Sequence, residues 1–294
     1  MELRHLRYFL ATAREGNMTR AAAACHVSQP ALSRQLADLE RDLGCELFVR
    51  ESRGVTLTDD GMMLRKRAEE IVLLADRAEQ ELRSGDVEVE GDVWIGGGES
   101  RAMELVAHAM KDICERNPAV RLNLHSGNYA DVAERIDKGI LDFGIVFGRV
   151  PESRFESIEL PWKDRWGVLM RRDDPLAQHE VLDWQDITSR RLIVSQQMDE
   201  ETSDDGVENL AARSQNAVAF YTLLYNASLL VEAGFGIAVC FDGIVAAGEG
   251  TPFAWVPLRE AMPVSAYLIW KRFQPLSRAA ALFLGAFREE CARS

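Results

Sequence analysis

Apolar residues recur at helical spacing near the beginning of the chain. From Asn17 to Leu43 the pattern predicts two short helices joined by a tight turn. Asn17 and Ser28 are expected to cap them, because their side-chain oxygens can accept from free backbone N–H groups of a first turn. In the second helix leucines recur every three or four residues, so one face should be buried. These leucines are Leu32, Leu36, Leu39 and Leu43.

The opposite face of the second helix is polar. It begins with Gln29, Ser33, Arg34 and Gln35, and Pro30 lies in the same first turn, where its missing N–H does no harm. Side chains of this kind at a helix N-terminus can reach base edges and phosphates in the major groove of DNA. A helical hairpin with a solvated polar face has the same pattern, and spacing alone leaves both interpretations open.

Two short extended runs follow, at residues 47–49 and 55–57, with a turn between them. Together with an earlier amphipathic helix that starts near Leu3, they predict a winged helix-turn-helix. Arg50 and Arg53 are expected to contact phosphates or the neighbouring minor groove, because arginine is permanently charged and favours narrow grooves. The alternative is two solvated surface arginines.

A long helix is predicted from Thr58 onward. Small and apolar residues recur along it at a spacing of four, three, four, three and four, which is typical of a heptad seam. The seam is too short to identify a coiled coil by itself, and a helix packed on its own domain is the alternative. The seam consists of Leu64, Ala68, Ile71, Ala75, Ala78 and Leu82.

From Asp92 onward, short apolar strands alternate with helical segments. This order predicts an α/β domain of mostly parallel sheets with helices on both faces. A chain of 294 residues is long enough for two or more domains. Strands are expected at residues 93–95, 120–125, 141–147, 166–170, 192–195, 219–222, 237–241 and 264–270.

The first 61 residues share many fixed spacings with a known family. The matching positions include Ala21-Ala22, Val27 to Ser33, Leu39-Glu40, Leu47-Phe48 and Leu57-Thr58. On these residues the segment resembles the DNA-binding domain of LysR-type transcriptional regulators, and a weaker similarity continues through nearly the whole chain. The resemblance implies a sequence-specific DNA-binding transcriptional regulator that is switched by a small-molecule effector.

The resemblance also implies a domain organisation. Residues 1–60 would form the winged helix-turn-helix, residues 61–90 a dimerising linker helix and connector, and residues 91–294 an effector-binding domain. This last domain would have two α/β lobes and be periplasmic-binding-protein-like. The chain would cross between the lobes near residues 160–163 and 265–268. Lobe I would then contain residues 91–161 and 268–294, and lobe II residues 162–267.

Within the resemblance, two chains pair through Leu64, Ile71 and Leu82 of their linker helices. The implied partners are double-stranded DNA carrying an inverted repeat, a small-molecule effector, and further copies of this chain in a dimer or tetramer. RNA polymerase is a further candidate partner, and no membrane is expected. The effector, the target genes and the choice between activation and repression are not implied.

Candidate effector-binding residues follow the predicted strands. Gly98, Glu99 and Ser100 lie between a strand and a helix, where free N–H groups suit an anion. Ser100 can instead cap its own helix, and Glu99 can neutralise the helix dipole or select an amine or hydroxyl group. Arg149 follows another strand and is expected either to clamp an acid or to form a surface salt bridge. Gln196 and Thr222 match effector-binding positions of the second lobe in the family.

The net charge of −13 is unevenly distributed. Residues 1–60 contain eight Arg and nine Asp or Glu, which gives −1, so the remainder of the chain carries −12. Because phosphate contact depends on the local face, a near-neutral segment can still bind DNA. The acidic remainder would repel the DNA backbone and is expected to lie away from it.

Other functional classes find little support in the sequence. The five cysteines have no Cys-x-x-Cys spacing and the five histidines form no cluster, so we expect no metal and no cofactor. No hydrolase or phosphate-loop motif is present, although an enzyme fused to a DNA-binding domain remains an alternative. A regulator whose α/β domain binds only a protein partner is another. The absence of a long apolar run and of a signal peptide predicts a cytoplasmic protein.

Overall fold

The computed structural model describes residues 1–51, 54–83, 89–196, 214–259, 261 and 263–294. It divides the chain into two compact units, Met1–Arg83 and Ser84–Ser294. Arg53 lies outside the described residues, and so do the side chains of Arg50 and Leu82.

The N-terminal unit is a three-helix cluster with a two-stranded wing and a longer fourth helix. A core of leucine and phenylalanine holds it together, and Phe9, Leu32 and Leu39 are fully buried in it. The elements are α1 (Leu3–Glu15), α2 (Met18–Ala24), α3 (Gln29–Leu43), β1 (Phe48–Glu51), β2 (Gly54–Leu57) and α4 (Asp59–Arg83). This arrangement confirms the winged helix-turn-helix that the sequence predicts.

The ends of the short helices follow from local chemistry. The Asn17 side chain accepts from the amides of Thr19 and Arg20 at 2.9 and 3.1 Å, as predicted. Ser28 stands at the N-cap of α3 but makes no side-chain cap hydrogen bond, so that part of the prediction is wrong. Gly44 ends α3 with φ of 72°, a left-handed conformation that glycine adopts without steric cost.

The helix α4 packs on its own unit along one face. Leu64, Ala68 and Val72 lie against the core of the winged domain. Ile71 and Leu74 point elsewhere and are 42% and 37% exposed. The winged domain therefore covers part of the predicted seam and leaves another part exposed. Leu64 is partly buried against its own domain and Ile71 is exposed, and the predicted roles of Leu64, Ile71 and Leu82 in dimerisation stay predictions.

The C-terminal unit contains two five-stranded mixed sheets, with strand orders β4-β3-β5-β12-β6 and β11-β7-β10-β8-β9. The first sheet is formed by β3 (Gly91–Gly97), β4 (Val120–Ser126), β5 (Phe143–Phe147), β6 (Phe155–Asp164) and β12 (Val264–Lys271). The second is formed by β7 (Trp166–Arg171), β8 (Leu192–Ser195), β9 (Ala217–Tyr221), β10 (Ile237–Phe241) and β11 (Phe253–Pro257). We call the first sheet with its helices lobe I and the second with its helices lobe II.

Helices cover both sheets. Those of lobe I are α5 (Met103–Arg116), α6 (Tyr129–Asp137) and α9 (Arg278–Arg293), and those of lobe II are α7 (Trp184–Ile187) and α8 (Leu224–Glu232), with a short 3₁₀ helix at Pro175–Gln178. In each sheet two of the four strand pairings are antiparallel, so the sheets are less parallel than predicted. The antiparallel strands of lobe I are the long crossing strands β6 and β12, through which the chain leaves the lobe and returns.

The first chain crossing lies just after the predicted residues, and the second lies just before them. Asp164 in β6 pairs with Val264 in β12, and both strands belong to lobe I over their whole length. The chain therefore leaves lobe I after Asp164 and re-enters it at Val264. The predicted crossings at 160–163 and 265–268, and with them the predicted lobe boundaries, are shifted by a few residues, because the β6–β12 ladder continues to the edge of the lobe.

Candidate DNA-binding face and effector cleft

The N-terminal turn of α3 presents a polar face to solvent. Gln29, Pro30 and Arg34 are exposed, and Ser33 is half-buried on the same side of the helix. Gln35, in contrast, is anchored inside the domain, since its Oε1 lies 3.1 Å from Nε2 of His5. Gln29, Pro30, Ser33 and Arg34 therefore lie together at the start of α3, whereas Gln35 is hydrogen-bonded within the domain.

Arg34 differs from the other arginines of its domain. Within the described residues no carboxylate pairs with it, and its Nε only approaches the Pro30 carbonyl oxygen at 3.4 Å. The remaining described guanidinium groups are engaged: Arg4 with Glu2, Arg7 with Asp76, Arg14 with Glu15, Arg41 with Asp38, and Arg20 with the Glu15 carbonyl oxygen. A cation without a carboxylate partner beside the polar turn is well placed for a phosphate.

Two contacts position the wing, one to α3 and one to the end of α1. Oε1 of Glu40 accepts from the amides of Leu47 and Phe48 at 2.8 and 3.3 Å, which fixes the start of β1. Gly54 opens β2 so close to α1 that a Cβ there would lie 2.6 Å from the Gly16 carbonyl oxygen. The sequence gives no role to Glu40, because an acidic residue late in a helix has the pattern of a solvated side chain.

In the C-terminal unit, Gly98, Glu99 and Ser100 follow β3 and precede α5, as predicted. The buried Ser100 hydroxyl accepts from the Ala102 amide at 3.1 Å. Ala102 stands at the N-cap of α5, which has no side-chain cap hydrogen bond, so this contact is not the helix cap that was the alternative for Ser100. Glu99 reaches from lobe I to lobe II, where its carboxylate accepts from the Leu224 amide. Leu224 is the first residue of α8, and Leu223 at the N-cap supplies no side-chain hydrogen bond.

Glu99 therefore does for α8 what a capping side chain normally does. A carboxylate at a helix N-terminus is stabilised by the free N–H groups and by the positive end of the helix dipole. The sequence suggested Glu99 as a counter-charge for its own helix, and the structure instead places it at the helix of the other lobe. The contact joins the two lobes directly.

The other predicted effector residues are less closely gathered. Thr222 is exposed just before α8, two residues from the Glu99 contact. Arg149 and Gln196 are exposed as well, and in the described part of the chain no hydrogen bond or ring contact joins either to Glu99, Ser100 or Thr222. Their part in ligand binding stays a prediction.

Aromatic rings line the junction between the lobes. Phe241 at the end of β10 lies between Trp166 and Phe147, with ring centroids 4.0 and 4.9 Å apart. Phe147 belongs to lobe I, whereas Phe241 and Trp166 belong to lobe II. A second interlobe contact places Arg101 against Gly243, where a Cβ would lie 2.1 Å from Cδ of Arg101.

Asp164 is a feature of this junction that the sequence did not single out. It is the last residue of β6, only 1% exposed, and neither carboxylate oxygen has a hydrogen-bond partner. The pKa of Asp164 is raised to about 6, mainly by desolvation and also by the nearby Asp242, while Arg101 opposes the shift. These two neighbours come from lobe II and lobe I respectively, so the buried carboxyl group lies where the lobes meet.

Comparison with known proteins identifies the family. Residues 3–62 match the family described as bacterial regulatory helix-turn-helix protein, lysR family, and residues 87–292 match the LysR substrate binding domain. The chain belongs to the LysR family of DNA-binding transcriptional regulators. Its two-lobed unit is the effector-binding domain of that family, and α4 is the helix that precedes it.

Known regulators are similar to this chain over part or all of its length. The HTH-type transcriptional regulator BudR of Raoultella terrigena is 28% identical over 98% of this chain and 100% of its own. The Hca operon transcriptional activator HcaR of Escherichia coli is 35% identical over 62% of this chain and 61% of its own. The solved structure of CbnR, a LysR family regulator, superposes with a TM-score of 0.73 at 22% identity, covering 99% of both chains. CbnR has also been solved in complex with its target DNA, and that structure superposes with a TM-score of 0.72 at 23% identity, covering 99% of this chain and 100% of CbnR.

Other chemistry is not indicated by the described residues. They contain no group of three or more His, Cys, Asp or Glu side chains able to hold a metal, and none of their helices is long and apolar enough to cross a membrane. All five cysteines are free. Burial raises the pKa of the Cys240 thiol to about 12, so this thiol is not a reactive one.

Proposed function

We propose that this regulator reads its operator through the first turn of α3 and is switched by a small molecule bound between its two lobes. The observation that carries the DNA-binding part is the exposed turn of Gln29, Pro30, Ser33 and the unpaired Arg34. Gln29 would contact a base edge, since an amide can bond adenine in two places. Arg34 would contact the phosphate backbone, and Arg50 and Arg53 of the wing would contact phosphates or the minor groove beside it.

Pairing of two chains would place two such helices on one inverted repeat. The exposed face of α4 that carries Ile71 and Leu74 supports this proposal, because large apolar side chains in solvent commonly mark an interface. In a symmetric dimer the two recognition helices would lie about one turn of DNA apart. A tetramer formed from two such dimers, and contact with RNA polymerase, would extend the same arrangement.

The lobe junction supports ligand switching in a cytoplasmic regulator that needs no catalytic activity. Glu99 and the rings of Phe147 and Phe241 already join lobe I to lobe II, so a ligand entering beside them must alter contacts on both sides. A ligand shifts an equilibrium only by its difference in affinity for the two arrangements. Ligands that touch both lobes satisfy that condition.

Binding to specific and random DNA tests the proposal. The specific site is one obtained by selection with the parent protein, and affinity is measured by fluorescence anisotropy at several salt concentrations. Gln29→Ala should cost about 1–3 kcal/mol on the specific site and little on random DNA. Arg34→Ala should weaken both and lower the salt slope by about 1.

Arg41→Ala is the matched control. It removes the same charge from the same helix, but at its last turn and from an ion pair with Asp38. Its affinity for both kinds of DNA should equal that of the parent. Equal losses of Gln29→Ala on specific and random DNA would make Gln29 a positioning residue and would contradict the proposed base contact.

A further inference from the structure

The lobe junction holds one buried charge that the protein does not satisfy. Asp164 is 1% exposed and both of its carboxylate oxygens lack a hydrogen-bond partner. Buried carboxylates normally pair with a cation or accept several hydrogen bonds, because desolvation without such partners is costly. A structural role in the closed fold does not explain this carboxylate, since it bonds nothing there.

The positive groups around the junction are already matched by other acids. Glu99 occupies the N-terminus of α8. Arg165 pairs with Asp242 at 3.5 Å, and Arg101 approaches Glu104 at 3.8 Å without making a hydrogen bond to Asp164. An anionic ligand entering here would meet Glu99, Asp164 and Asp242. A ligand that donates hydrogen bonds would instead supply the hydrogen bonds that the Asp164 carboxylate lacks.

The surroundings of Asp164 also suit a flat apolar body. Trp166 follows two residues later and stacks on Phe241, which in turn contacts Phe147 across the junction. The Trp166 indole Nε1, an N–H donor, is also buried without a hydrogen-bond partner. Aromatic surfaces bind cations and planar groups well, particularly when water is excluded.

We infer that the effector of this protein carries a hydrogen-bond-donating group, such as an amidine, amine or hydroxyl, on an aromatic body, and that this group binds Asp164. The inference rests on the proposed effector cleft and specifies the chemistry of its ligand. Arg101 of lobe I, which lies near Asp164, also contacts Gly243 of lobe II.

Three matched probes test the inference on the full-length protein: benzamidine, benzyl alcohol and benzoate. Each probe has one benzene ring. The attached groups differ in their charge and in whether they donate hydrogen bonds. Affinity is measured by isothermal titration calorimetry at pH 7. Benzamidine should bind most tightly, benzyl alcohol more weakly, and benzoate at least tenfold more weakly than benzamidine.

Asp164→Asn supplies the decisive comparison. It keeps the shape of the side chain and should weaken benzamidine at least tenfold while leaving the fold intact by circular dichroism. Asp173→Asn removes an exposed carboxylate of the same lobe, which is paired with Arg171, and should change benzamidine affinity less than threefold. A purely structural role for Asp164 would not produce selectivity among the probes.

The pH profile gives an independent readout. Asp242 at the end of β10 and Arg101 before α5 are the charged groups that face Asp164. With a carboxyl pKa of about 6, the ionised fraction falls about tenfold between pH 7 and pH 5, and benzamidine affinity should fall with it. Benzamidine stays protonated throughout this range. The Asp164→Asn protein should lose this dependence.

Three results would overturn the inference: no binding of benzamidine, tighter binding of benzoate, or equal binding of benzamidine to the parent and to Asp164→Asn. An acidic metabolite that proves to be the effector and binds between the lobes would overturn it while leaving the proposed function standing. Failure of the proposed function itself would appear separately, as an absence of specific DNA binding.

Discussion

Replacing Asp164 by Asn should stabilise the effector-binding domain at neutral pH. The carboxyl pKa is about 6 in the folded protein, against 3.8 as the ordinary value, so the folded state binds more protons between these pH values. Stability contributed by this group is therefore present below pH 3.8 and is lost as pH rises through 6. A shift of about 2 pKa units corresponds to about 3 kcal/mol at pH 7.5.

That figure is an upper bound for the substitution. Asn removes the charge but leaves a buried amide without partners, which itself costs about 1–3 kcal/mol. Comparing the free energy of unfolding at two pH values cancels this second cost, because the amide does not titrate. From the same pKa values, the advantage of Asn over Asp should be about 2 kcal/mol smaller at pH 4.5 than at pH 7.5.

Urea unfolding followed by tryptophan fluorescence measures this difference. All six tryptophans lie between residues 94 and 270, so their fluorescence reports on the effector-binding domain alone. Asp173→Asn is the control, since it removes an exposed carboxylate of the same lobe that is paired with Arg171. An advantage of Asp164→Asn that is the same at both pH values would refute the reasoning, because it would mean that Asp164 does not titrate in this range.

Three further substitutions test separate parts of the structure. Ile71→Asp should abolish the dimer in sedimentation velocity, whereas Ile71→Leu should retain it; an Ile71→Asp protein that sediments like the parent would exclude this face of α4 as the interface. Gly54→Ala should cost about 1–3 kcal/mol in thermal unfolding of the winged domain, since its Cβ would meet the Gly16 carbonyl oxygen at 2.6 Å, and an unchanged midpoint would contradict that close approach. Glu99→Gln should weaken the cap of α8 by about 1 kcal/mol and change the ligand concentration needed in a reporter assay, while affinity for DNA without ligand stays as in the parent.

Features that depend on residues only a few positions apart could be predicted from the sequence. The leucine spacing of α3 and the Asn17 cap depend on residues three or four apart, and both appear as predicted. Ser28 occupies the expected N-cap position but does not use its side chain. A capping residue type therefore predicts where a helix begins better than it predicts the hydrogen bond.

The sequence could not show which residues of α4 pack on their own domain and which are left open to a second chain. Leu64 and Ile71 are one heptad apart and look equivalent in a list of spacings. Seven residues make almost two full turns, so Leu64 and Ile71 lie on nearly the same side of α4. The winged domain nevertheless covers Leu64 and leaves Ile71 exposed. Deciding between intramolecular and intermolecular packing requires knowing what already occupies each face.

Contacts between distant segments were the least predictable part of the candidate site. Glu99 was recognised as a candidate, but its bond to Leu224 spans 125 residues and joins two lobes. Asp164 stands between Lys163 and Arg165, where its charged neighbours favour a solvated strand end. Its burial depends on the packing of Asp242 and Arg101 from opposite lobes, which no local pattern encodes.

Selection from a random DNA library by the full-length protein tests the central claim most directly. A regulator that pairs two α3 helices on DNA should enrich one inverted repeat, with half-sites about 10 base pairs apart or a multiple of that distance. The Gln29→Ala protein should enrich it weakly or enrich a repeat altered at one position of each half-site. Binding without enrichment of any sequence would contradict the account.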